Sequence, residues 1–84
     1  MPEILVAGGA GYVGSHTVVK LLEQGIDVII ADDFSNSNIA VIQAIEAITG
    51  KAVKSYAVDL TNKEEVRRIF TENDIYELFF NQNW

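Results

Sequence analysis

No cysteine occurs in the chain, which excludes a disulfide framework and a thiolate metal site alike. Histidine is nearly as scarce. The single His16 has no carboxylate or cysteine partner close in sequence, so it makes neither a catalytic triad nor a metal centre. A surface or helix-packing role is expected for it, and no metal ligand set is expected anywhere. Basic residues number 6 against 12 acidic ones, giving a net charge of −6 without any basic cluster. That balance argues against nucleic acid as a partner. No apolar run approaches the about 20 residues of a membrane span. The opening Met-Pro-Glu lacks the positive segment of a signal peptide. A cytoplasmic protein without a membrane partner is the expectation.

What is present suits one small globular domain spanning 1–84, with 49% hydrophobic residues. A domain of this size buries only about 60–65% of its unfolded surface, so its stability margin is thin. The chain is organised around Glu3 to Gly14, Glu-Ile-Leu-Val-Ala-Gly-Gly-Ala-Gly-Tyr-Val-Gly. An apolar run meets a burst of glycines and then a helical pattern. Gly9, Gly11 and Gly14 satisfy G-x-G-x-x-G, the dinucleotide fingerprint, and Gly8 precedes them. Gly8 and Gly9 allow backbone angles that a side chain forbids. Gly11 lets the main chain approach a pyrophosphate, and Gly14 lets the helix lie close to the strand. Free N–H groups at the helix start then face the phosphates, helped by roughly half a positive charge from the helix dipole.

The remaining chain repeats this alternation. Ile4 to Ala7 reads as a buried parallel strand, Tyr12 to Gln24 as a helix, and Asp27 to Asp32 as a second strand. Gly25 stands where a left-handed helix cap is usual. Asp33 to Asn38 is polar and turn-prone. Ile39 to Thr49 is helical, with Val41, Ile42, Ile45 and Ile48 on one face and Gly50 at its end. Lys54 to Val58 is a third strand. Thr61 and Glu64 have capping-box spacing at the head of a helix from about Asn62 to Glu72, in which Val66, Ile69 and Phe70 face inward. Glu77 to Phe80 is a fourth strand. The spacing predicts an α/β fold, half of a doubly wound Rossmann arrangement. Its parallel sheet of about four strands has the order 3-2-1-4, with helices on both faces.

Several polar residues fall where such a sheet binds ligands. Asp32 ends the second strand, close to the about 20-residue spacing at which a carboxylate meets adenosine ribose hydroxyls. There it favours NAD over NADP, because a 2′-phosphate is repelled; an ordinary strand-end Asp capping a turn is the simpler alternative. Asp33 is open between the same two roles. Asn36 and Ser37 can reach the adenosine end of a dinucleotide or simply form the turn. Asp59 follows the third strand. It can accept from the adenine amino group, with Leu60 offering its N–H, or it is a loop Asp before the Thr61 cap. Tyr12 is a packing residue whose backbone N–H meets a phosphate. The Arg67-Arg68 pair is a solvated helix face.

Gly8-Gly-Ala-Gly-Tyr-Val-Gly-Ser-His-Thr17, followed by Asp-Val-Ile-Ile-Ala-Asp-Asp-Phe-Ser-Asn-Ser37, resembles the amino terminus of the UDP-glucose 4-epimerases. These are extended short-chain dehydrogenase/reductases. The resemblance runs from about Glu3 to Ile75. Tyr12 fits this family better than the sugar-nucleotide dehydratases, which more often carry Phe there, whereas Ala7 departs from the usual threonine. The resemblance implies NAD as cofactor, with the backbone at Tyr12 and Val13 on the pyrophosphate and Asp32 on the adenosine ribose. It implies Asp33, Asn36 and Ser37 along the far side of that ribose, and Asp59 and Leu60 on adenine. It further implies a role in galactose metabolism: NAD takes a hydride from C4 of the sugar, and the 4-keto intermediate receives it back on its other face, interconverting UDP-galactose and UDP-glucose.

The chain departs from the family at Phe80-Asn-Gln-Asn83, where a His-Phe-Ala-Gly-type segment is usual. The family's catalytic Ser/Thr and Tyr-x-x-x-Lys lie further on. Four residues after Tyr12, Tyr56 and Tyr76 stand His16, Leu60 and Phe80, so these 84 residues contain no Tyr-x-x-x-Lys. The expectation is a truncated NAD-binding domain without a substrate domain or catalytic residue of its own. It binds NAD or its ADP moiety, with UDP-hexose bound only in a full-length enzyme. The alternative is a non-catalytic binding module or an inactive remnant that self-associates through an exposed fourth strand.

Overall fold

Four short strands build one sheet, and the helical patterns between them carry the chain back from strand end to strand start. The computed structural model describes residues 3–8, 10–34 and 39–80, with Tyr12, Val13 and Phe80 by their backbone alone. Strands β1 (Glu3–Ala7), β2 (Asp27–Asp32), β3 (Lys54–Ala57) and β4 (Ile75–Phe80) alternate with helices α1 (Tyr12–Glu23), α2 (Ala40–Thr49) and α3 (Lys63–Glu72). Every strand pairing is parallel, and the order is β3-β2-β1-β4. This is the order expected from right-handed crossovers, and it is half of a doubly wound Rossmann-like sheet.

Side chains alternate across a strand, so each apolar run feeds two cores. Ile4 and Val6 of β1 and Val28 and Ile30 of β2 face α1 and α2, where Val18, Leu22, Ile42 and Ile45 close the layer. Leu5, Ile29 and Ala31 point the other way, against Val58 and Ile69. Burial on both faces is why β1 and β2 read as unbroken apolar runs rather than alternating ones.

The helix ends follow from local chemistry. At the end of α1 the Gly25 N–H donates to Leu22 O (3.0 Å) and the Ile26 N–H to Leu21 O (3.1 Å). That is a Schellman pair, and it needs the left-handed φ of 82° that Gly25 adopts. Gly50 closes α2. At α3 the expected box between Thr61 and Glu64 does not form. Asn62 is the cap, its Oδ1 accepting from the Glu64 and Glu65 N–H groups at 3.0 and 3.2 Å. Such a cap contributes about 1 kcal/mol. The Thr61 hydroxyl donates to Asp59 Oδ1 instead, at 2.6 Å.

Two inward assignments also change. On α3 only Ile69 is buried, with Val66 partly covered and Phe70 41% exposed. On α2, Ile48 is 67% exposed while Ile42 and Ile45 are buried. Strand β4 begins at Ile75, two residues earlier than the sequence suggests, and an irregularity in the β1 pairing lies between Glu3 and Ile4. Leu78 registers with Leu5 and Phe79 with Val6, so the two belong to opposite sheet faces. They remain 48% and 41% exposed. No helix among the described residues is long and apolar enough to cross a membrane.

Candidate functional site

Parallel strands end at one edge of a sheet, and here that edge gathers the polar residues singled out from sequence. Ala7 registers with Ala31, and Asp32 with Ala57, so the loops after β1, β2 and β3 leave the sheet side by side. The turn after β1 starts with Gly8 at a φ of 79°, a conformation that strains any side-chain-bearing residue. Its N–H donates to Ala31 O at 2.7 Å, and its carbonyl accepts from Gly11 N–H at 3.1 Å. Gly11 is the N-cap of α1, and no side chain caps it. The Ser15 N–H donates to Gly11 O (2.8 Å), which leaves the preceding N–H groups of Tyr12, Val13 and Gly14 ahead of the intrahelical ladder. No acidic residue stands in that first turn. Gly14 is buried, as close helix–sheet packing requires.

Asp32 lies beside this turn. It is the one buried charged side chain among the described residues, at 8% exposed. A carboxylate removed from water needs donors, and main-chain amides supply them. Ala10 N–H donates to Oδ2 at 3.1 Å and Phe34 N–H to Oδ1 at 2.8 Å. The backbone carbonyl of Asp32 accepts from Val58 N–H at 3.0 Å, linking the loop after β3. Asp33, the next residue, is exposed.

Asp59 accepts two bonds within its own turn. Thr61 donates its hydroxyl (2.6 Å) and its N–H (2.9 Å) to Oδ1. These two bonds, the hydroxyl's first, hold the Asp59 carboxyl below its ordinary value, and the little desolvation present acts against them. Both bonds use Oδ1, so Oδ2 lies outside the turn. Leu60 packs its side chain against the cluster on the α3 face.

The structure therefore brings Gly8, Gly11, the backbone of Tyr12 and Val13, Gly14, Asp32, Asp33, Asp59 and Leu60 to one sheet edge. The expectations for Gly9, Asn36 and Ser37 lie outside the described residues. His16 is exposed on α1, at a groove of about 380 Å³ between α1 and α2 that Val41, Ala44 and Ile48 also line. What the sequence reading missed is Phe34, at a φ of 59°. A signal was present: an Asp two residues before a chain reversal is a common acceptor for the second N–H onward.

A family model described as the NAD dependent epimerase/dehydratase family matches residues 4–80. A UDP-glucose 4-epimerase of Neisseria meningitidis serogroup B is 47% identical over 75 residues, covering 89% of this chain and 22% of that protein. The crystal structure of UDP-glucose 4-epimerase from Bifidobacterium longum in complex with NAD+ and UDP superposes with a TM-score of 0.93 at 38% identity, over 98% of this chain and 24% of that one. The corresponding enzyme of Stenotrophomonas maltophila, with bound NAD and formylated UDP-arabinopyranose, gives a TM-score of 0.93 at 33% identity, over 100% of this chain and 25% of that one. The chain thus spans about a quarter or less of each of these three proteins. The match over nearly all its residues, joined to the glycine turn and the strand order, makes this chain a member of the NAD dependent epimerase/dehydratase family.

Proposed function

We propose that this chain is the amino-terminal NAD-binding part of a UDP-glucose 4-epimerase-type enzyme. The observation that carries the reading is the uncapped start of α1 behind a positive-φ glycine, with a buried carboxylate one strand away. Those features fit a dinucleotide. The N–H groups of Tyr12 and Val13 bind the pyrophosphate, which the helix dipole favours. Asp32 accepts from the adenosine ribose hydroxyls, and Asp33 lines the far side of that ribose. Asp59 Oδ2 and the Leu60 N–H hold adenine. Bound NAD supplies a hydride acceptor and donor for C4 of a UDP-hexose, the chemistry that interconverts UDP-galactose and UDP-glucose. The 84-residue chain positions the cofactor but moves no substrate proton, because it contains no Tyr-x-x-x-Lys. General acid–base assistance is typically worth about 10²–10⁴-fold, and a sugar pocket would add positioning.

Isothermal titration calorimetry of the chain with NAD tests this. Weak binding is expected, and it should tolerate salt because main-chain amides rather than exposed Lys or Arg meet the phosphates. No heat with millimolar NAD would sink the reading. A parallel assay with UDP-galactose should show no conversion; measurable turnover by the clean chain would refute the non-catalytic part.

A second property has its own support. Among the described residues β4 pairs only with β1 and is a sheet edge. Tyr76, Leu78 and Phe79 on it are 57%, 48% and 41% exposed. An apolar, unpaired strand edge favours pairing with another chain, so self-association through β4 accompanies the binding reading.

A further inference from the structure

Asp32 serves two loops at once. One carboxylate oxygen accepts from Ala10 N–H in the turn between β1 and α1 (3.1 Å), the other from Phe34 N–H in the loop after β2 (2.8 Å). Phe34 is the one non-glycine residue with positive φ among the described residues, at 59°. Its side chain packs against the core beneath α1 and α2. Such a conformation persists only where surrounding contacts over-determine it, and here the contacts are a core on one side and a carboxylate on the other.

We propose that Asp32 is a positioning residue for the glycine turn, clamping it to the loop after β2 before any ligand arrives. This rests on the reading above for what the turn holds; the clamp itself does not. Gly8 N–H already ties the start of the turn to Ala31 O at 2.7 Å. One tie leaves a pivot in a backbone made flexible by glycine. The second, at Ala10, fixes the direction in which the first N–H groups of α1 point. A preformed cradle lowers the ordering cost of binding. A carboxylate that merely touched ribose would behave oppositely toward a bare anion, because removing its negative charge would relieve repulsion.

Amide hydrogen exchange of the ligand-free chain, read by NMR, tests the clamp. In the wild type the Ala10 and Phe34 amides are expected to be protected. Asp32→Asn keeps one acceptor oxygen and turns an NH₂ donor toward the other N–H. One of the two amides should then exchange about tenfold faster or more, while Val6 and Ile29 stay protected. Unprotected Ala10 and Phe34 in the wild type, or no change at either in a folded Asn variant, overturns the clamp. If Asp32→Asn does not fold, the wild-type protection decides. Inorganic pyrophosphate, which has no ribose, supplies the positioning readout. Its affinity should fall in the folded Asn variant, the loosened turn outweighing the repulsion that charge removal relieves; an equal or higher affinity, which a merely structural Asp32 gives along with a shifted unfolding midpoint, overturns the proposal. NAD binding with unprotected amides would defeat the clamp only. Protected amides without NAD binding would defeat the functional reading only.

Discussion

Replacing Ile69 with alanine is expected to remove about 2–5 kcal/mol of stability, the range for a large aliphatic side chain lost from a packed core. Ile69 is the one buried residue of α3 and is fully enclosed. It belongs to one buried cluster with Leu5, Ile29, Ala31 and Val58, so it joins α3 to the sheet. The opposite sheet face has α1 and α2 and four buried helix residues among its anchors. On the α3 face Ile69 is the single buried helix residue, flanked by the partly buried Tyr56, Leu60 and Ile75. At roughly 0.05–0.15 kcal/mol per residue, a domain this size holds only about 4–13 kcal/mol in all. Urea unfolding followed by circular dichroism reads the change, with the midpoint falling sharply. The neighbour provides the control. Phe70→Ala, at an exposed position of the same helix, should stay within about 0.5 kcal/mol of the parent. Equal losses at both positions would mean that α3 lies on the sheet differently.

Gly11→Val should abolish NAD binding while leaving the fold standing. Gly11 has a φ of −76° and a ψ of 173°, extended backbone that valine adopts without strain. Glycine is a better N-cap than valine, so a modest loss of up to about 1 kcal/mol is expected. The ligand suffers more. A branched side chain at the head of α1 takes the space through which a diphosphate reaches the first N–H groups. Each charge-assisted hydrogen bond lost is worth about 1.5–3 kcal/mol, so losing two weakens binding by about 100-fold or more. Calorimetry with NAD gives the affinity, and circular dichroism checks the fold. Near-parental affinity in a folded Gly11→Val chain would move the phosphates away from α1.

The strands and their order were legible because β1 and β2 are buried on both faces, and continuous apolar runs bounded by glycine and Asp leave few alternatives. The site was legible in outline for a related reason: Gly8, Gly11 and Asp32 carry positions as well as chemistry, since strand ends of a parallel sheet share an edge. Other details depended on contacts that sequence spacing does not encode. Thr61 and Asn62 are both good cap formers, and Thr61 has the better spacing to Glu64. Asp59 decides the matter by taking the Thr61 hydroxyl and N–H, which moves the cap one residue along. Phe70 follows Ile69 and shares its apolar character, yet a helix turns by about 100° per residue. With Ile69 at the centre of the buried stripe, Phe70 falls outside it. The position of Asp32 suits a ligand, and its bonds to Ala10 and Phe34, which spacing does not encode, also give its carboxylate employment within the chain itself.

The place of β1 between β2 and β4 has a kinetic corollary. β1 finds its first neighbour after a single crossover, but the second comes from the far end of the described chain. Closing so long a loop is entropically unfavourable until the pairing it permits is complete, and such non-local topologies fold slowly. On the ribosome, β1 must wait with one flank open until β4 has emerged. Through that interval the nascent chain is most exposed to capture by another copy of itself.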